Sequence, residues 1–173
     1  MVGQHFCCIF VKTKKNMRCN CGINPKNLTD EHLFAESREL KMLPSLYRRV
    51  GYKSIGRVPK EFTLGKGHML FFLYKPSYTR HRYHEVLKEC VQRGVNIQNE
   101  EYRWNIYHQG EYFESFIESG KEADILRCRI SERILNSPKN YFHYHHKRIT
   151  KQEAINLLYR YFFLKMAYIV NID

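Results

Sequence analysis

The stretch Leu28–Leu40, Leu-Thr-Asp-Glu-His-Leu-Phe-Ala-Glu-Ser-Arg-Glu-Leu, constrains this chain more than any other. Thr29 has the side chain of an N-cap, able to accept an amide hydrogen bond that the first helical turn leaves unmade. Asp30 and Glu31 stand where the positive end of a helix favours acids. Leu28 before the cap and Leu33 after it have hydrophobic-staple spacing. Leu33, Phe34, Ala35 and Leu40 supply a core face. His32, Glu36 and Glu39 fall at i, i+4 and i+7 as a second, ionisable stripe. Two carboxylates three apart, beside a histidine and Arg38, have the makings of an acid/base centre. The plainer expectation is a solvated face, because ordinary amphipathic helices look like this.

The rest of the chain reads as further helices. Asn24-Pro25-Lys26-Asn27 is a turn into the first helix, which stops or bends near Lys41–Pro44 because proline clashes with a helical turn. Ser45–Val50 starts a second, shorter helix, and Gly51–Pro59 is loop. Gly65-Lys66-Gly67-His68 is a tight turn before the apolar run Met69–Tyr74. It matches neither of the Gly-rich phosphate-binding patterns. Residues 68–74 read as a buried helix segment bent by Pro76. A helix then runs to Arg93, a reading that Tyr78, Val86, Leu87, Cys90 and Val91 suit, with Leu87 in the core and Gly94 as its C-cap. Glu100–Gly120 reads as loops with short turns. Glu122–Leu135 is a helix on which Ile125, Cys128 or Arg129, Glu132 and Leu135 step round, while Arg129 and Arg133 share a face. Leu126 is a core position. Gln152–Val170 is a final apolar helix, suited to packing or self-association rather than to a membrane span. The expected fold class is mostly α, one compact domain of several helices with little or no sheet.

Net charge is +12, which points to a polyanionic partner such as nucleic acid. The charge gathers at the two ends: nine Lys/Arg against four acids over residues 1–50, ten against four over 121–165, and ten against eight between 51 and 120. Ends that met in space would make one basic footprint. The cysteines do not form a staple pattern, and the spacing of Cys7, Cys8, Cys19 and Cys21 is a poor match to zinc pairing, so reduced thiols and no metal are expected. Residues 1–16 look like an appendage, and Met17 begins a different texture.

Four ordered blocks carry a family resemblance. They are Arg18-x-Asn20; Leu28–Leu40; Gly65-x-Gly67-His68 with Phe71-Phe72; and Glu89-Cys90-x-x-Arg93-Gly94-x-Asn96. A weaker fifth runs from Arg129 through Pro138 to Tyr144. Together they resemble the phage endonuclease V-like family of pyrimidine-dimer DNA glycosylases and AP lyases. The resemblance implies a helical domain over residues 17–150 with its N-terminal segment threaded between helices, and an added helix over 151–173. It also implies cleavage of the glycosidic bond at a cyclobutane pyrimidine dimer, followed by strand scission. The nucleophile would be the α-amine of Met17 and the essential carboxylate Glu39. Arg18, His32, Arg38, Arg129, Arg133 and the segment Tyr141, Phe142, His143 and Tyr144 would meet DNA. The implied partner is double-stranded DNA containing a damaged site, inside a cell or virus-associated. No cofactor is needed, because an imine supplies the electron sink.

The chemistry fits the residue types. An α-amine titrates near about 8 against about 10.4 for lysine, so part of it is neutral and nucleophilic at pH 7. A carboxylate within reach of the sugar can stabilise positive charge and shuttle protons. Arginines position phosphates without reading sequence, and a dimer is already poorly stacked. One departure matters. Residues 1–16 precede Met17, and a peptide-bonded nitrogen cannot form an imine. Three alternatives stand: a true start at Met17, an upstream cut, or altered or lost chemistry in the Met1 chain, with Lys14 or Lys15 in reach of the role. The last leaves a non-catalytic duplex-binding module, and a structural protein associating through its C-terminal helix is a third option. A softer departure is Met42, where the phage protein has arginine.

Overall fold

A computed structural model describes residues 18–50, 56–107 and 113–170, the stretch 161–170 as backbone only. Helix α1, Asp30–Leu40, starts where the sequence places it: the Thr29 hydroxyl caps it by accepting from the His32 amide. The staple residues Leu28 and Leu33 are both fully buried. The chain breaks only at Lys41 and re-enters helix as α2, Met42–Val50. Pro44 lies in the first turn of α2, where a missing N–H costs nothing, so the second helix begins earlier than the proline alone implies.

Helix α3, Lys66–Leu73, is the buried apolar segment, and Pro76 opens α4, Pro76–Gln92, at its first position. Gly94, at φ +73°, closes α4 with its N–H on the Val91 carbonyl at 2.9 Å. The inward face of α4 is mixed, apolar and ionic. Thr79, Arg82, Tyr83, Val86, Glu89 and Cys90 are buried, whereas Val91 is exposed. Arg82 enters the core because α1 presents Glu36 to it, and Glu89 because Arg93 meets it there. The following segment holds a 3₁₀ turn, Glu101–Ile106, whose Trp104 stacks on Tyr83 at 4.8 Å and donates its indole N–H to Thr79 at 3.1 Å.

Helix α5, Gly120–Leu135, begins in a capping box between Ser119 and Glu122. It buries Ala123, Leu126, Ile130 and Ile134, with Leu126 in the core as expected, while Ile125 and Leu135 are exposed. Strands β1, Tyr141–Tyr144, and β2, Lys147–Thr150, form an antiparallel hairpin with Phe142 opposite Ile149. It is the one sheet among the described residues. Helix α6, Lys151–Val170, puts Ala154 and Leu158 into the same core. The molecule is a single, mostly helical domain, as expected. Among the described residues no helix is long and apolar enough to cross a membrane.

The largest correction concerns α1 itself. Its polar stripe is not a solvated face: His32 is 8% exposed and Glu36 0%. Helix α4 covers one side of α1, the hairpin another, and residues Cys19–Ile23 run beside it with Cys19, Cys21 and Ile23 buried. Buried ion pairs take up the acids. Arg93 reaches Asp30 and Glu89, each at 2.8 Å, and the Leu28 carbonyl at 2.9 Å. Replacing Arg93 by methionine keeps bulk but strands two acids. Urea unfolding of R93M is expected to show a loss of about 3–5 kcal/mol.

Candidate active site and DNA-binding face

Glu39 stands at the last turn of α1. The Arg18 guanidinium lies 3.7 Å from its carboxylate, and the Arg18 backbone N–H also donates to it. From the other side α5 brings Arg129 and Arg133, one turn apart, close enough for their charges to act on the same group. The two ends of the chain that carry the excess charge therefore meet at one carboxylate. Burial raises the Glu39 pKa above the ordinary carboxylate range, and the opposing pull of Arg18 and Arg133 does not cancel it. The Arg129 guanidinium is pushed down to about 10 by burial and by the like charges of Arg133 and Arg18. Arg133 is lowered for the same two reasons, burial and Arg18.

Polar atoms at this centre lack partners. Arg18 Nε, Glu39 Oε2 and Arg129 make up a cluster in which one buried nitrogen or oxygen of each side chain has no hydrogen bond. Three such groups around one point are donors and an acceptor arranged for something that is not protein. An anion beside a developing cation would satisfy all of them.

The segment leading into the centre is held atom by atom. The Cys19 N–H donates to His68 Nε2 at 3.2 Å. The Asn20 N–H and side-chain amide donate to the two oxygens of Glu36, both at 2.8 Å. Arg82 closes the same carboxylate from α4, with Nε at 2.9 Å and a terminal nitrogen at 3.1 Å. Arg82 was not among the expected site residues. Its signal was present: an arginine at a core-facing position of α4, between Thr79 and Val86.

The remaining expected residues fall in different places. Met17 lies outside the described residues, as do Lys14, Lys15, Cys7 and Cys8. His32 is enclosed, with Nδ1 at 2.7 Å from the Thr29 hydroxyl and its ring stacked on Phe142 at 6.0 Å. Burial, then the Arg18 charge, pushes its pKa down to about 4, so it is neutral at pH 7. Arg38 is exposed and lines a cavity of 340 Å³ with Lys41, Met42, Arg49 and Arg103, to which Glu39 does not contribute. The hairpin splits by strand alternation. Phe142 is buried, and the Arg93 guanidinium sits 5.0 Å from the Tyr144 ring. Tyr141 and His143 share the other face, where Arg148 lies 4.4 Å over the Tyr141 ring. Glu31 holds His143 by its backbone N–H at 3.1 Å and its ring Nδ1 at 3.0 Å. His145 and His146 turn the hairpin at positive φ and donate their amides to Asp30 at 3.2 and 2.8 Å.

Two outcomes are expected from these charges. Because Arg129 carries a pKa below its unfolded value, its charge disfavours folding. Arg129→Gln should raise the stability of the free protein by about 1 kcal/mol, allowing for partial exposure, which thermal melts check. The pKa of His68, like that of His32, is depressed to about 4, chiefly by burial. The stability they contribute is complete above about pH 6.5 and is lost as pH falls towards 4, by up to ~3 kcal/mol each. Urea unfolding at stepped pH reads this, and His32→Gln should flatten it.

Residues 19–102 match the family model described as pyrimidine dimer DNA glycosylase. The matched stretch contains Glu36, Glu39, His68, Arg82 and Arg93. Arg18, Arg129, Arg133 and the hairpin lie outside it, and the fold brings them to it. The resemblance carried by the ordered sequence blocks is thus met by a family match over residues 19–102.

Proposed function

We propose that this protein is a base-excision repair glycosylase with AP-lyase activity on cyclobutane pyrimidine dimers in duplex DNA, working through an imine on the Met17 amine. The family match supports pyrimidine-dimer glycosylase activity in general. The observation that carries the finer reading is the Glu39 centre: a half-buried carboxylate of raised pKa, ringed by Arg18, Arg129 and Arg133, with orphaned polar atoms. Met17 is bonded to Arg18, whose amide donates to Glu39.

In the proposed reaction the neutral amine bonds to the sugar C1′ while the glycosidic bond of one pyrimidine breaks; that base takes up the proton the amine loses and stays joined to its neighbour through the cyclobutane ring. The sugar ring opens to an iminium ion. Glu39 stabilises the positive charge, then takes part in removing the C2′ proton, after which the 3′ phosphate leaves. A carboxyl whose pKa lies above the usual range is suited to moving protons in both directions. Arg18, Arg129 and Arg133 hold phosphates, and Tyr141 and His143 offer a stacking face. In this reading residues 1–16 are absent from the active form, residues 17–150 are the catalytic domain and 151–173 add a helix.

The test is borohydride trapping of a chain beginning at Met17 on dimer-containing duplex. A covalent complex is expected, and its absence would sink the reading. Glu39→Gln should cut scission by about 10²-fold or more. The blocked nitrogen of the Met1 chain favours one competing reading, a duplex-binding module without chemistry. That module would bind undamaged duplex unchanged by Glu39→Gln and would never cut it.

A further inference from the structure

One motif remains without a role in this chemistry: Gly65-Lys66-Gly67-His68. His68 is fully buried, with edge-on aromatic contacts to Phe62 at 5.3 Å and Phe72 at 5.1 Å. The two glycines seat it there. Gly65 precedes α3 at φ +77°, and a Cβ on Gly67 would collide with the Thr63 side chain. Packing alone would be served better by leucine or phenylalanine, since a buried imidazole must find partners. Its Nε2 accepts from the Cys19 amide, which is itself shut away from water, while Nδ1 is buried without a hydrogen bond.

The Cys19 contact is the middle of three. The Arg18 amide goes to Glu39, the Cys19 amide to His68 and the Asn20 amide to Glu36. Amides two residues apart point the same way along an extended backbone, and the two that meet α1 are two apart. The one between them meets α3. Two carboxylates one turn apart on α1 therefore grip one side of this segment, and His68 grips the other. The imidazole stays neutral well below pH 7, its pKa pushed to about 4, and so keeps an acceptor nitrogen for the task.

From this geometry we infer that His68 is a positioning residue: it sets the register in which residues 18–20 lie over α1, and thereby where the amine before Arg18 meets the sugar beside Glu39. The inference rests on the glycosylase reading for its consequence, but the clamp can be measured without it. An apolar residue at position 68 leaves the Cys19 amide unpaired and frees the segment to slip by fractions of an ångström.

The chain beginning at Met17 and its H68L and H68Q variants should be compared in three measurements: amide hydrogen exchange at residues 18–20, affinity for undamaged duplex, and single-turnover scission of dimer-containing duplex at saturating protein. In the unaltered chain the Cys19 amide should be protected by about 10³-fold or more. H68L should lose that protection and about 10²-fold in scission, with duplex affinity kept within about threefold. H68Q, whose side-chain carbonyl can accept, should regain most of both. Scission and exchange unchanged in H68L overturn the inference, as does H68Q behaving like H68L, or a loss of scission matched by lost affinity. If H68L does not fold, an unprotected Cys19 amide in the unaltered chain still overturns it. Absence of scission by every chain, with the exchange pattern intact, overturns the glycosylase reading and leaves the clamp standing.

Discussion

The Glu36 carboxylate has no exposed surface, and the architecture around the site depends on how its charge is met. Each oxygen takes one bond from Asn20 and one from Arg82. A buried charge is tolerable only when so fully bonded, and removal of either partner strands the other. The bonds are directional, which apolar contacts are not. They tie the N-terminal segment, α1 and α4 together in one register. Arg93 does the same a turn away, joining Asp30 and Glu89, while Asp30 also receives the amides of the hairpin turn.

Glu39, three residues on from Glu36, shows the opposite condition. The scaffold carboxylate is saturated, whereas the candidate catalytic one keeps an oxygen without a partner. Three guanidinium groups of like charge are held near it, two of them with depressed pKa. Such a centre is electrostatically unfavourable by itself. It becomes favourable when an anion enters, which is the arrangement expected of a site that binds phosphate next to a developing cation. The neighbouring saturated networks supply the rigidity that holds these groups in place.

The acids of the first helical turn illustrate how one residue serves two levels. In the sequence Asp30 and Glu31 are helix-starting acids, favoured by the dipole. In the fold they are also the docking points of the hairpin, Asp30 through the His145 and His146 amides and Glu31 through His143. That docking leaves Tyr141 and Arg148 on the free face and turns Phe142 inward. Strand alternation alone divides the four-residue aromatic segment into two halves with different work.

Much was legible from the chain by itself. The cap at Thr29, the staple, the stop near Lys41, the helix beyond the Gly turn and the closure of α4 at Gly94 are all decided by neighbours within a turn or two. The ordered blocks also pointed to the family and to Glu39. What only the tertiary structure decided was the fate of ionisable groups. A His32–Glu36 stripe reads as solvated until Arg82, forty-six residues further on, brings a counter-charge to it. The inward face of α5, the pairing of β1 with β2, and the meeting of Arg18, Arg129 and Arg133 at one carboxylate are of the same kind. Burial of a charge depends on a partner distant in sequence, and local periodicity holds no information about where that partner will arrive.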